Sequence, residues 1–405
     1  MEALELSHGN EIRDFVQARL KRLLDSFSIL KVGHITKFVE PISHRIGVVE
    51  ALRIFSSRED INSLPVEGDF GVIGLLHKQN LLKKKTTLTG FTDPSVEKFL
   101  DQASFYVDAS ENCEKAMELI LKRDAGRLYD DFMIYDKGRY FGIGSFADLT
   151  RNIAEIRNTD LTNARKMQEF LIGRNSADRP GLAVKKYVRM AYEIGGDYLQ
   201  CMEITGNLSM LSSFDVSGKG IAAALLTSTL SSFFSTLKVC GSLSSYDPNS
   251  ILSALNNVVI DQTPEEIFVA AAFVFIDREK REATFFNCGY SPVYVFFTEE
   301  ESVKAKGKII SPNLWPLGIK TFADLKSHTL PIHKNFRTFI HSDGLIDAYN
   351  EKGERYGEEN LRKFLYPRCM KPVETLLADL DKEMKSFIGS APQADDITVM
   401  IAEIS

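Results

Sequence analysis

Aspartate recurs at the ends of apolar runs through the second half of this chain, usually with glycine beside it. Asp197 stands in Glu193-Ile-Gly-Gly-Asp-Tyr198, Asp215 in Phe214-Asp-Val-Ser-Gly-Lys-Gly220 and Asp343 in His341-Ser-Asp-Gly-Leu345. Asp395 and Asp396 follow in Gln393-Ala-Asp-Asp-Ile-Thr398. Each lies where a strand-like run meets a turn, a placement that can bring side chains from several strand ends to one spot. Carboxylates gathered there repel one another: two unit charges about 4 Å apart cost roughly 4 kcal/mol at an effective dielectric near 20. A divalent cation removes that cost, and hard cations such as Mg²⁺ and Mn²⁺ prefer oxygen ligands. The pattern therefore points to a chain folded around a carboxylate metal centre.

The 405 residues suffice for two or three domains with full cores. An apolar content of 44% and a charged content of 26% are ordinary for a soluble globular protein. The formal net charge of -6, with no basic tract, argues against nucleic acid as a partner. Cys113, Cys201, Cys240, Cys288 and Cys369 are odd in number, scattered and without a CxxC pair. That usage fits free thiols in a reducing compartment. The N-terminus has no basic segment followed by an apolar stretch, so no secretory signal is expected. The longest apolar run, Ile267–Ile276, has ten residues, whereas a membrane-crossing helix needs about 20. A cytoplasmic protein without membrane contact is expected.

The first 150 residues contain an internal repeat. One copy runs through Val48–Phe55, Ser63–Val66, Gly71–Leu76 and Asn80–Leu82; the other runs through Cys113–Ile120, Asp131–Tyr135, Tyr140–Gly144 and Asp148-Leu149. Both copies predict helix, strand, turn, strand, helix, and two such small units need each other to bury their sheets. The region resembles a tandem pair of cystathionine-β-synthase-type (CBS) domains. That resemblance implies an adenine nucleotide beside a Gly-apolar-apolar-Ser/Thr-x-x-Asp segment, with the hydroxyl on phosphate and the Asp on ribose. The second copy keeps the pattern in Gly142-Ile-Gly-Ser145-Phe-Ala-Asp148, and the first departs from it in Gly74-Leu-Leu-His77-Lys-Gln-Asn80. Ser145, Asp148 and Asn80 are the candidate nucleotide contacts. A purely structural pair is the alternative.

From Leu149 to about Ile172 the spacing predicts one long helix, with Leu149, Ile153, Ile156, Ala164, Met167 and Leu171 as its apolar stripe. Asp160 and Asn163 interrupt that stripe, and a short coiled coil across a homodimer is expected, with a solvated connecting helix as the alternative. Gly173–Gly181 has the composition of a linker. The expected domains are residues 1–148, a helical linker over 149–178, and residues 179–405.

After Gly181 the reading changes to strands over Leu182–Met190, Tyr198–Ile204 and Leu208–Val216, then helices from about Gly220 and over Ser250–Asp261. A hairpin over Ile267–Ile276 and Ala283–Asn287 follows, then strands at Val293–Phe297 and Arg337–His341, a helix near Pro372–Phe387 and a closing strand, Ile397–Glu403. Strands combined with helices in this way predict an α+β sandwich.

Six segments then occur in order: Glu193–Tyr198, Asp215–Leu226, Asn287–Pro292, Pro316–Gly318, Ser342–Ala348 and Ala394–Val399. Together they resemble the SpoIIE/RsbU branch of the PPM metal-dependent serine/threonine protein phosphatases over about residues 164–403. The resemblance implies an α-β-β-α sandwich with two Mn²⁺ or Mg²⁺ ions. By motif position it implies Asp197 and Asp215 as ligands, Asp215 bridging, with the Val216 carbonyl beside them. Asp343 and Asp395 would complete the site, Asp395 being preferred to Asp396 as the first residue of its motif. Gly196, Gly218, Gly220 and Gly344 would give backbone and water access. The implied reaction is direct hydrolysis, in which two ions activate a water for in-line attack on phosphorus. The implied substrate is a phosphoserine or phosphothreonine on a STAS-type anti-sigma-factor antagonist.

The sequence departs from the family at two points: Tyr290 replaces a common His, and Asp347 replaces a common Glu. Both bear on substrate fit and activation more than on chemistry. His341 is expected to be structural rather than a general acid. The chain has no Cys-x5-Arg run, which argues against a cysteine phosphatase. Two other readings stand beside this one: a nucleotide-sensing scaffold that docks a partner through a phosphatase fold, and, more weakly, an adenine-nucleotide hydrolase.

Overall fold

The computed structural model describes residues 31–58, 60–85, 93–101, 104–173, 181–239, 247–299 and 305–404. Cys240 and most of the Gly173–Gly181 linker lie outside those residues. The chain divides into two units, Met1–Thr159 and Asp160–Ser405.

The first unit contains the repeat. Its first half comprises β1 (Ile42–Ser43), α1 (Val48–Ser57), β2 (Ser63–Gly68), β3 (Gly71–His77) and α2 (Lys78–Lys85). The second comprises β4 (Tyr106–Asp108), α3 (Cys113–Leu121), β5 (Phe132–Asp136), β6 (Arg139–Gly144) and the start of α4 (Phe146–Gly173). Each half forms a three-stranded sheet with one parallel and one antiparallel pairing. The helices bury the same spacing: Val48, Ala51 and Phe55 in α1, and Cys113, Ala116 and Ile120 in α3. Lys137 and Gly138 both have positive φ between β5 and β6, which suits the right-handed twist of a two-residue hairpin. The halves share a core, because Met133 and Ile143 of the second pack with Leu64, Val66 and Leu75 of the first.

The second unit follows with β7 (Leu182–Arg189), β8 (Asp197–Glu203), β9 (Leu208–Val216), α5 (Ile221–Val239) and α6 (Pro248–Gln262). Next come β10 (Val269–Asp277), β11 (Glu282–Cys288), β12 (Val293–Thr298), β13 (Ala305–Ile310), β14 (His328–Pro331) and β15 (Lys334–His341). The short α7 (Asp343–Ile346), then α8 (Gly357–Leu365), α9 (Val373–Ile388) and β16 (Ile397–Ile404) complete it. Two five-stranded sheets result, ordered β14-β11-β10-β9-β8 and β13-β12-β15-β16-β7.

Alternation along the strands builds three apolar layers. On β10, Ala272, Val274 and Ile276 face the other sheet, where Val295, Ile340 and Met400 meet them. Phe273 and Phe275, on its opposite face, pack with Phe214 and with Leu230, Phe234 and Leu255 of α5 and α6. On β16, Val399 and Ile401 pack outward with Phe339 and with Leu361, Leu376 and Leu380 of α8 and α9. The unit is therefore an α-β-β-α sandwich. No helix among the described residues is long and apolar enough to cross a membrane. The described cysteines, Cys113, Cys201, Cys288 and Cys369, are buried and free. Burial pushes the Cys288 thiol up to about 12, which keeps it protonated and inert.

Candidate active site

Antiparallel pairing gathers the acidic motifs at one end of the sandwich. Asp197 opens β8 and pairs across the sheet with Asp215 near the end of β9. In the other sheet His341 pairs with Val399, so Asp343, just after β15, and Asp395-Asp396, just before β16, flank one another. Asp215, Asp343 and Asp395 line a cavity of about 490 Å³, together with Val216, Lys219, Phe268 and Tyr290. Asp197 lies behind them, 3% exposed, and its Oδ2 has no hydrogen-bond partner.

The two adjacent aspartates of the last motif do different things. Asp396 is buried; its Oδ1 accepts from the Ala191 amide at 2.8 Å and its Oδ2 from the Gly196 amide at 3.1 Å. It thereby fastens the segment carrying Asp197 to the start of β16. Asp395 instead faces the cavity. A side chain at Gly344 would put its Cβ 2.0 Å from the Asp396 carbonyl oxygen, so glycine is required where α7 meets that strand.

Burial, followed by repulsion between neighbours, dominates the electrostatics. The Asp215 carboxyl is pushed up to about 7, first by burial and then by Asp343, Asp395 and Asp396. Burial raises Asp197 well above the carboxylate range, and Asp215 and Asp396 raise it further. Asp343 is raised by burial and then by Asp395. These are oxygen donors that resist ionising without a counter-charge, which fits a divalent cation. They surround the cavity without meeting at a point: among the described residues no three His, Cys, Asp or Glu form a ready-made ligand cluster.

Tyr290 lines the cavity, and its buried hydroxyl shares a 2.6 Å hydrogen bond with Ser213 Oγ. It is thus anchored to β9. Asp347 pairs with Arg355; neither is among the lining residues, but the Asp347 amide donates to the carbonyl of cavity-lining Asp343 at 2.8 Å. His341 is 1% exposed, and its Nδ1 donates to the Ser342 carbonyl at 2.9 Å. Burial pushes it down to about 4, so it is neutral near pH 7 and holds no proton to deliver from Nε2.

Two residues with a bearing on the site were not singled out from the sequence. Lys219 lines the cavity. Gln168 of α4 is 4% exposed and clamps the Gly195 peptide from both sides. Its Nε2 donates to the Gly195 carbonyl at 2.7 Å, and its Oε1 accepts from the Gly195 amide at 3.1 Å. The expected stripe of α4 is corrected here: Met167 is 71% exposed, while Gln168 and Ile172 are buried. The readable signal was the spacing Ala164, Gln168, Ile172, four residues apart.

In the first unit a cavity of about 430 Å³ is lined by Asn80, with Ser63, His77, Asp101, Arg127 and Asp131 among its other residues. Ser145 and Asp148 are not among those residues. The Ser145 hydroxyl donates to Asp148 Oδ2 at 2.6 Å and accepts from the Asp148 amide at 3.1 Å, the second of these capping the start of α4. The half that keeps the family pattern thus uses it to cap α4, and the cavity lies at the half that departs from it. There His77 Nδ1 shares a 2.8 Å hydrogen bond with Ser63 Oγ, and Asp101 pairs with Arg127.

Residues 207–405 match the family described as Stage II sporulation protein E (SpoIIE). Among solved structures, the SiaA-PP2C domain of Pseudomonas aeruginosa is similar at 17% identity with a TM-score of 0.52, covering 62% of this chain and 99% of that one. The RsbU and RsbW domains of a Mycobacterium tuberculosis protein give 20% identity and a TM-score of 0.46 over 56% of this chain and 60% of that one. The phosphatase domain and regulatory fragment of SpoIIE from Bacillus subtilis give 16% identity and a TM-score of 0.45 over 55% and 64%. No curated protein matches the chain. The family match over residues 207–405 and the shared sandwich together support a SpoIIE/PP2C-type phosphatase domain in the second unit.

Proposed function

We propose that this chain is a metal-dependent serine/threonine phosphoprotein phosphatase of bacterial signalling, regulated through its first unit. The observation that carries the reading is the convergence of Asp215, Asp343 and Asp395 on one cavity with Asp197 buried behind them. Asp197, Asp215, Asp343 and Asp395, with the Val216 carbonyl, would hold two Mn²⁺ or Mg²⁺ ions. Asp396 would position the loop that carries Asp197. When bound, the ions supply an activated water and offset charge on the phosphoryl group. The protein contributes a site whose walls, Phe268, Ala270 and Gly289, admit a phosphorylated side chain and limit competing water.

The substrate would be a phosphoserine or phosphothreonine on a small STAS-type anti-sigma antagonist, in the cytoplasm. The first unit would be a CBS pair, and its Asn80 cavity would take an adenine nucleotide. The exposure of Met167 and Phe170 on α4, 71% and 61%, favours pairing of that helix across a homodimer. Signal would reach the site by a shift in α4, with each ligand contributing its differential affinity for the two positions. Gln168 is the contact through which such a shift would act. Gln168→Ala would leave the buried Gly195 amide and carbonyl without partners, at about 1–3 kcal/mol each. It is expected to weaken Mn²⁺ binding several-fold in a calorimetric titration; unchanged affinity would remove α4 from the regulatory path.

The reading is tested by hydrolysis of p-nitrophenyl phosphate and of a phosphoserine peptide by the full chain with Mn²⁺, Mg²⁺ or EDTA. Turnover that requires the metal supports it. Folded protein that binds a partner but never turns over would favour the scaffold.

A further inference from the structure

Among the described residues, Lys219 is the one cationic residue lining the active cavity, whose charged groups are otherwise Asp215, Asp343 and Asp395. Its Nζ lies 3.1 Å from Asp395 Oδ2 and donates to the Ala394 carbonyl at 2.7 Å. The ammonium also sits 5.3 Å from the centroid of the Tyr192 ring. Gly218 and Gly220, with φ of 97° and 76°, turn the backbone sharply on either side of it. A lysine so placed is held at the mouth of the cavity on a contact that is easily given up. Half-exposed ion pairs such as this, with side chains 49% and 47% exposed, contribute only about 0–1 kcal/mol.

Charge accounting gives that lysine a task. Under the phosphatase reading, on which this inference rests, the four ligand carboxylates and two divalent ions sum to zero, and Asp396 beside them adds a further negative charge. A phosphomonoester dianion then enters a cavity whose lining offers, among the described residues, one side-chain cation. The Ser217 hydroxyl accepts from the Phe268 amide at 2.9 Å, and what it has left to donate is a neutral hydrogen bond without charge. Elsewhere in the lining Tyr290 and Ser291 carry neutral hydroxyls, and Phe268, Ala270 and Gly289 are apolar. A compact ammonium on a flexible arm suits a phosphate oxygen, which it meets with a charge-assisted hydrogen bond.

We propose that Lys219 is the phosphate-binding residue of this site, parked on Asp395 until the phosphoryl group arrives. Two opposite effects follow from one side chain. On Asp395 the ammonium competes with a metal ion for the same carboxylate. On the substrate it adds attraction. Lys219→Gln should therefore bind Mn²⁺ more tightly and inorganic phosphate more weakly, a combination that general loosening of the loop would not produce.

The experiment titrates the full-length protein with Mn²⁺ alone, and the Mn²⁺-loaded protein with inorganic phosphate, by calorimetry, for wild type, Lys219→Gln and Lys219→Arg. Steady-state hydrolysis of a phosphoserine peptide is measured alongside. Lys219→Gln is expected to bind Mn²⁺ about three-fold more tightly and phosphate about five-fold more weakly, the upper end for one lost charge contact at a half-exposed site. KM should rise more than kcat falls, and Lys219→Arg should hold phosphate affinity within about three-fold of wild type. Wild-type turnover with unchanged phosphate affinity in Lys219→Gln would overturn the assignment and leave the phosphatase reading intact. Weaker binding of both Mn²⁺ and phosphate would also overturn it, by showing a structural role. Wild-type protein that takes up no Mn²⁺ would overturn the phosphatase reading and this inference with it.

Discussion

Asp343→Asn is expected to abolish metal-dependent phosphatase turnover, by at least about 10³-fold in kcat, while leaving the fold intact. Asp343 stands at the first position of α7, exposed toward the cavity, with Ser342 as the preceding cap residue. Asparagine matches it in shape, so the backbone turn and the close approach of Gly344 to Asp396 survive. What is lost is one of the negative charges a divalent ion needs. The same loss relieves repulsion, because Asp395 is the neighbour that raises Asp343 after burial itself. The metal-free mutant should therefore melt at or slightly above the wild-type temperature. That pairing separates a dead site from an unfolded one, and it excludes a contaminating phosphatase. Mn²⁺-dependent turnover within ten-fold of wild type would mean that the cavity works through a different set of ligands.

The acidic motifs were legible because their chemistry is concentrated in short segments at strand ends, and antiparallel order alone brings such ends together. The central strands were legible because both of their faces are covered; β10 reads as an unbroken apolar run. Two of the sandwich's four edge strands, β13 and β14, carry no such signal. In β13, Ala305–Ile310, only Ile310 is buried, and the strand carries Lys306 and Lys308. The other sheet ends in β14, where only Leu330 is buried. Alternation and apolar runs both fade in these two strands, where charge also discourages pairing with other chains. The helix α8 was missed because its apolar positions, Leu361, Phe364 and Leu365, cover barely one turn.

Longer-range features were hidden for a different reason. Gln168 is a polar residue within an amphipathic helix, and its importance comes from a peptide 27 residues later in the chain. An assignment of α4's buried face that errs by one residue turns the helix by about 100°, enough to exchange Met167 for Gln168. Ser145 and Asp148 illustrate the converse. In a Ser-x-x-Asp segment opening a helix the serine can cap the backbone, so the same letters can carry a cap as well as a ligand contact; here the Ser145 hydroxyl caps α4.

Without metal, the second unit should be more stable at pH 5.5 than at pH 7.5, and Mn²⁺ should reverse that order. The Asp215 carboxyl is pushed up to about 7 in the fold, against an unfolded value near 3.9. Between roughly pH 4 and pH 7 the native state therefore binds more protons than the unfolded chain, and stability falls as pH rises through that window. The gap between the folded and unfolded values corresponds to a loss on the order of 4 kcal/mol across the whole window, roughly half of it above pH 5.5. Asp197 and Asp343 are raised as well, so they add to the loss in the same direction. For a unit of this size 1 kcal/mol moves Tm by about 2–4 °C, which puts the metal-free difference on the order of 10 °C. A divalent ion needs the ionised carboxylates, so its binding releases protons and its stabilisation grows with pH. Thermal melts in EDTA and in Mn²⁺ at both pH values measure this directly. Equal metal-free melting temperatures, with equal Mn²⁺ increments, would show that these carboxylates are not held protonated by the fold. Asp215→Asn identifies the group: its metal-free protein should lose most of the pH slope and gain stability at pH 7.5. A slope that survives that substitution unchanged would assign the titration to the other raised carboxylates, Asp197 and Asp343.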